Sequence, residues 1–136
     1  MKKNILIVTA NYYKDISSTM TNDVKKIISK NAEFNIQFFT VPGVFEIPVV
    51  ISKNINKYDG FIALGCVIKG QTPHFDFICL STFNALINLS IKSKKPMGNG
   101  IITCLNIDQA KKRSKKKGQE AFNAVAEVLK NVSNRK

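Results

Sequence analysis

An open α/β fold, with parallel strands layered between helices, is the reading that three observations support. Short apolar, β-branched runs recur along the chain, separated by longer segments with helical spacing. Breaker clusters fall between them at Pro42-Gly43, Lys69 to Pro73 and Pro96 to Gly100. The length of 136 residues suits one domain over 1–136 and leaves little room for a second.

The elements follow in order. Asn4 to Ala10 is apolar and β-branched, a buried strand, and Asn11 to Asp15 is a polar loop. Met20, Val24, Ile27 and Ile28 recur near helical spacing, predicting a helix over about Ser17 to Asn31 with Ser17 or Ser18 as its cap. Asn35 to Val41 reads as a second strand. After Pro42-Gly43, Ile47, Val50, Ile51 and Ile55 predict a helix within Phe45 to Asn56. Phe61 to Ile68 is a third strand. His74 to Ser93 is too long for a strand and predicts a helix. Ile101 to Leu105 is a fourth strand, and Asn106 caps a helix from Ile107 that Gly118 interrupts. Phe122, Val125, Ala126 and Leu129 carry the last helix, over Glu120 to Val132. Four strands alternating with helices predict a flavodoxin-like three-layer α/β/α sandwich around a four-stranded parallel sheet.

Composition excludes several classes. With 44% hydrophobic and 22% charged residues, the chain is an ordinary globular protein and not a disordered one. No apolar run is expected to reach the ~18 residues of a membrane helix. The apolar stretch at the N-terminus ends at Ala10 with no small-residue cleavage site, so export is not expected. Cys66, Cys79 and Cys104 form no CxxC, and one histidine accompanies them. Neither a disulfide framework nor a zinc site follows, and a reducing cytoplasm is the expected location.

Charge is the most biased property. The 21 basic residues against 9 acidic ones give +12, and 19 of the 21 are lysine. Such a balance suits an anionic ligand or a polyanionic surface. Abundant lysine, asparagine and isoleucine are equally what AT-rich codon usage produces. The run from Lys111 to Lys117 lacks interleaved aromatics, which leaves a solvated helix face as its ordinary explanation.

In open α/β sheets ligands bind beyond the carboxyl ends of the strands. Those ends carry Asn11-Tyr12-Tyr13, Pro42 to Glu46, Lys69 to His74 and the turn after Leu105. Gln71 and Thr72 precede a helix start, where free N–H groups, a hydroxyl and the helix dipole suit phosphate. The Walker pattern is absent. His74 is the sole histidine, either a proton shuttle near neutral pH or a capping residue. Glu46 either satisfies a first helical turn or accepts hydrogen bonds from ligand hydroxyls. Tyr12 and Tyr13 either stack on a planar ring or pack the loop. No serine or cysteine stands in a recognisable nucleophile setting.

Three segments together resemble the 6,7-dimethyl-8-ribityllumazine synthase family. Val41-Pro42-Gly43-Val44-Phe45-Glu46-Ile47-Pro48 is similar to its VPGAFEIP segment. Leu64 to Asp76 is similar to LGxVIRGxTxHxD. Gly100-Ile101-Ile102-Thr103, followed by Ile107-Asp108-Gln109-Ala110 and Arg113, is similar to FGVLT…IEQAxxR. Order and spacing match over nearly the whole chain, and motifs of this length are highly specific.

The resemblance implies an enzyme that joins 5-amino-6-ribitylamino-uracil to 3,4-dihydroxy-2-butanone 4-phosphate, with phosphate leaving and no metal or organic cofactor. It implies that Tyr12 stacks on the pyrimidine and that Val44, Phe45 and Glu46 hold the ring and its ribityl chain. Val67 and Ile68 flank the ring through backbone groups, Gln71 and Thr72 bind phosphate, and His74 transfers protons. Arg113 binds phosphate from a neighbouring subunit, and Lys117 aligns with a family lysine. Asn99 stands where the family has a phenylalanine supplied by the adjacent subunit, and Asn11-Tyr12-Tyr13 replaces the family's RFN. It further implies a homo-oligomer, a pentamer or a multiple up to a 60-subunit icosahedral capsid, with a functional link to riboflavin synthase. No specific nucleic acid or membrane partner is implied. The alternative is a non-catalytic ligand-binding or shell-forming protein of the same fold. A basic nucleic-acid-binding domain is the more distant reading, since no nucleic-acid motif is present.

Overall fold

In the computed structural model residues 2–134 are described, so residues 1, 135 and 136 of the expected domain lie outside the described part. The chain forms β1 (Lys3–Ala10), α1 (Lys14–Ile28), β2 (Phe34–Val41) and a 3-10 turn at Val44–Glu46 that runs into α2 (Ile47–Lys53). It continues through β3 (Gly60–Ile68), α3 (His74–Ser93), β4 (Met97–Cys104), α4 (Ile107–Arg113) and α5 (Lys117–Asn134). The strands pair in parallel in the order β2-β1-β3-β4. This is the flavodoxin-like three-layer arrangement.

Period-two alternation on the central strands creates the two cores. Ile5 and Ile7 of β1 face one cluster, with Met20 and Val24 of α1, Ala110 of α4 and Phe122 of α5. Leu6 and Val8 face the other, with Ile47 and Ile51 of α2 and Leu86 of α3. A strand covered on both faces reads as a continuous apolar run, which is why β1 and β3 were so visible in the sequence. Buried Asp23 of α1 accepts hydrogen bonds from the Gln119 backbone N–H at 3.0 Å and side-chain amide at 2.6 Å. It thereby ties α1 to the first turn of α5.

Four expectations are corrected. Neither Ser17 nor Ser18 caps α1. The helix begins at Lys14, and buried Ser17 sits inside its first turn with its N–H bonded to the Tyr13 carbonyl. The cluster Pro96 to Gly100 is not a loop: β4 starts at Met97, and Gly98 makes room for Ala121 and Val125 of α5 instead of turning the chain. The break between the last two helices falls at residues 114–116, not at Gly118, so the lysine run spans a helix end, a turn and a helix start. Finally, α3 is long and apolar enough to meet the length and composition criterion for a membrane span, against expectation. Its polar residues break the apolar run in the sequence, yet the mean hydropathy of the helix stays high enough. By contrast Asn106 does cap α4: its side chain accepts from the Gln109 N–H at 2.9 Å, and Gln109 Oε1 accepts from the Leu105 N–H at 2.8 Å.

Gly118 is required by the α1–α5 contact. A Cβ there would stand 2.9 Å from the Met20 carbonyl oxygen and 2.5 Å from Val24 Cγ2. The Gly118→Ala substitution is expected to lower stability by about 1–3 kcal/mol, the usual cost of overpacking, despite alanine's better helix propensity. Urea unfolding of the two proteins checks this, and an unchanged or raised midpoint would contradict the close approach.

Candidate active site

The strand order decides where a ligand can enter. From β1 the chain winds one way to β2 and the other way to β3, so the connections at the carboxyl ends of β1 and β3 diverge and leave a crevice. A cleft of about 630 Å³ occupies this position. Seven residues singled out in the sequence line it: Tyr12 beyond β1, Val44, Phe45 and Glu46 beyond β2, Val67 and Ile68 at the end of β3, and His74 at the start of α3.

Each wall has a local cause. The 3-10 turn after Gly43 puts Val44 into the core and leaves Phe45 exposed toward the cleft. Glu46 Oε1 accepts the Gly43 N–H at 2.9 Å, which fixes the carboxylate and leaves its second oxygen free for a ligand. Pairing of β3 with β1 ends at Leu64, whereas pairing with β4 continues to Ile68 and Cys104. The last residues of β3 therefore present one unpaired backbone edge beside the cleft, a row of donors and acceptors suited to a flat, polar ring. Gln71 and Thr72 are exposed in the loop before α3, and Thr72 Oγ1 accepts the His74 N–H at 3.4 Å. The first-turn N–H groups of this 20-residue helix have no carbonyl four residues back and point toward the same end.

Five expected residues do not line this cleft: Gln71 and Thr72 stay in the loop before α3, and the other three lie elsewhere. Asn99 is exposed on the outer edge of β4, with its Oδ1 bonded to the Ile101 N–H at 3.0 Å, in a separate groove with Phe83 and Met97. Arg113 ends α4 and donates from Nη1 to the Thr103 carbonyl at 2.6 Å and to Cys104 Sγ at 3.7 Å. Lys117 starts α5 and faces Glu120 at 3.9 Å.

A match to the 6,7-dimethyl-8-ribityllumazine synthase family model covers residues 2–133. The chain is 37% identical over 130 residues to a 6,7-dimethyl-8-ribityllumazine synthase of Bartonella tribocorum, covering 93% of this chain and 85% of that protein. Against the protein of the same name from Agrobacterium fabrum it is 34% identical over 139 residues, covering 94% and 93%. Against that of Corynebacterium kroppenstedtii it is 33% identical over 138 residues, covering 95% and 86%. The chain belongs to this family.

Three lining residues of this lumazine synthase family cleft were not among the candidates, Gly43, Cys66 and Ile78, and Tyr13, left open between stacking and packing, lines it as well. Ile78 lies one helical turn from His74, and that i, i+4 spacing was the available signal. Cys66 is displaced by two from Leu64, so alternation places it on the α1 side of β3. Burial, and then the neighbouring Cys104, push its thiol up to about 12. A neutral, buried thiol is a packing group and not a nucleophile. Among the described residues no group of histidine, cysteine and carboxylate side chains is arranged to hold a metal.

The raised thiol carries a signed pH dependence. Below its ordinary value of 9.0 both folded and unfolded chains keep the proton. Between 9.0 and about 12 the unfolded chain loses it first, so stability falls as pH rises through that window. Denaturation midpoints of wild type and Cys66→Ala, compared across it, should converge as pH rises. In the folded protein at neutral pH, Cys66 should also resist iodoacetamide until denaturant is added.

Proposed function

We propose that the chain catalyses the reaction its family is named for, in riboflavin biosynthesis. The 5-amino group of 5-amino-6-ribitylamino-uracil condenses with the ketone of 3,4-dihydroxy-2-butanone 4-phosphate and water leaves. Phosphate is eliminated, and the ribityl-bearing amine closes the second ring with loss of another water. The product is 6,7-dimethyl-8-ribityllumazine. The observation that carries this reading is the meeting of seven motif residues, from three separate segments, around one cleft at the switch point of the sheet.

The walls supply what such a reaction needs. Exposed Tyr12 and Phe45 offer π-faces to the pyrimidine. The unpaired end of β3 reads the ring's polar edge, and the free oxygen of Glu46 takes ribityl hydroxyls. Thr72 and the N-terminus of α3 take phosphate, with Gln71 beside them. His74 moves protons during imine formation and elimination. With no covalent step on the protein, most of the acceleration comes from holding two reactants in register.

The site is completed by a second copy in this reading. Arg113, Asn99 and Lys117 lie outside the cleft of their own chain and would reach a neighbour's. The exposed apolar side chains of α3, among them Phe77, Leu80, Ile87 and Ile91, support a contact between copies. The assembly is a pentamer or a multiple of pentamers, working in the cytoplasm and passing its product to a riboflavin synthase.

Mixing purified protein with both substrates and following lumazine absorbance against a protein-free control tests the activity. Retained binding without turnover would favour a non-catalytic protein of this fold. His74→Ala is expected to slow turnover roughly 10- to 100-fold, because positioning survives the loss of acid–base help. Unchanged turnover would remove His74 from the chemistry. Arg113→Ala should raise the butanone phosphate KM far more than the pyrimidine KM, and equal effects would contradict a phosphate role.

A further inference from the structure

Tyr13 lines the cleft, yet the reaction as assigned gives it no task. Its backbone is held at both sides. The Asn11 N–H donates to the Val41 carbonyl at 3.0 Å just before it, and its own carbonyl accepts the Ser17 N–H at 2.9 Å in the first turn of α1. Its ring packs half-buried against the core under α1. Tyr12 is different: 74% of its surface is exposed. The one aromatic contact of the Tyr12 ring among the described residues is with Tyr13, at 4.9 Å between centroids and 78° between planes.

An exposed ring samples several rotamers, and a ligand that stacks on it must fix one of them. A near-perpendicular neighbour that is itself immobile excludes most of those rotamers before the ligand arrives. We propose that Tyr13 is a positioning residue that presets the Tyr12 ring as the stacking platform for the pyrimidine. The inference deepens the lumazine synthase reading and rests on it. The ring, not the phenol, does this work. Burial, the nearby Cys66 thiol and Tyr12 all raise the phenol's pKa above its ordinary 10.0, so it stays neutral, and no hydrogen bond from it is needed.

Tyr13→Leu keeps apolar bulk against the core and removes the ring, with Tyr13→Met as a second such variant. Tyr13→Phe keeps the ring. The probes are 6,7-dimethyl-8-ribityllumazine and inorganic phosphate, each titrated at equilibrium, and urea midpoints establish that the variants fold. Tyr13→Leu should weaken lumazine binding by about three- to tenfold, the range spanned by one aromatic pair. It should raise the pyrimidine KM alike, while phosphate binding and the butanone phosphate KM hold. Tyr13→Phe should restore both. In a Tyr12→Ala background Tyr13→Leu should add nothing, because its effect passes through Tyr12. With three tyrosines and no tryptophan, the near-ultraviolet dichroism reports the pair directly, and Tyr13→Leu should collapse the Tyr12 contribution. A full additional loss in the Tyr12→Ala background, or a Tyr13→Phe protein as weak as Tyr13→Leu, overturns the inference while wild-type lumazine binding leaves the functional reading intact. A folded wild-type protein that binds no lumazine overturns both.

Discussion

The switch in winding direction between β1 and β3 is the constraint on which the rest depends. A sheet that wound one way throughout would cover every strand end with its own connection. Here the connection after β1 turns toward β2 and the one after β3 turns toward β4, so neither roofs the gap between them. The same divergence leaves the end of β3 unpaired on its β1 side. A backbone edge that is costly to bury without partners thus becomes the edge a polar ring can satisfy. Gly65 lets the wall close in at this point: a Cβ there would fall 2.6 Å from Val44 Cγ1 and 3.2 Å from the Ala10 side chain. Only a residue without a side chain permits the turn before α2 to pack onto the strand end.

Sequence legibility followed burial and loop chemistry. β1 and β3 were visible because both faces are covered, so nearly every residue is apolar. β4 was half missed, since two glycines and an asparagine read as a turn when no partner element is in view. What the glycine Gly98 answers is α5, some twenty residues later. Ser17 was misread for a related reason. Serine near a helix start suggests a cap, but the chain bends at Tyr12 and Tyr13 and α1 starts at Lys14, ahead of both serines. Local propensity lost to tertiary geometry in both cases.

Within the site, residues on loops with a distinctive local chemistry were legible, whereas of those on strand and helix Val67 and Ile68 came only through the family resemblance and Cys66 and Ile78 not at all. Glu46 and His74 sit beside Pro, Gly and Thr in breaker-rich segments, which mark them. Cys66 and Ile78 are ordinary apolar positions whose exposure to the cleft depends on which strand end is left open and which helix turn faces it. Tyr13 lies between: an aromatic beside an aromatic is conspicuous, but which of the two packs and which stays exposed follows from the path of α1.

In the proposed composite site, Arg113 is already positioned within its own chain. Its guanidinium rests on the Thr103 carbonyl and the Cys104 thiol at the end of β4. Cys104 in turn neighbours Cys66, which lines the cleft. The cation and the cleft are therefore referred to the same two strand ends, on opposite sides of β3 and β4. A carbonyl oxygen and a sulfur satisfy only part of a five-donor group. Such a cation is held in place yet remains electrostatically unspent. An anion offered by a second copy would find it oriented by the same sheet that shapes the first copy's cleft, so the geometry of both sites is set by one register, β3 on β4.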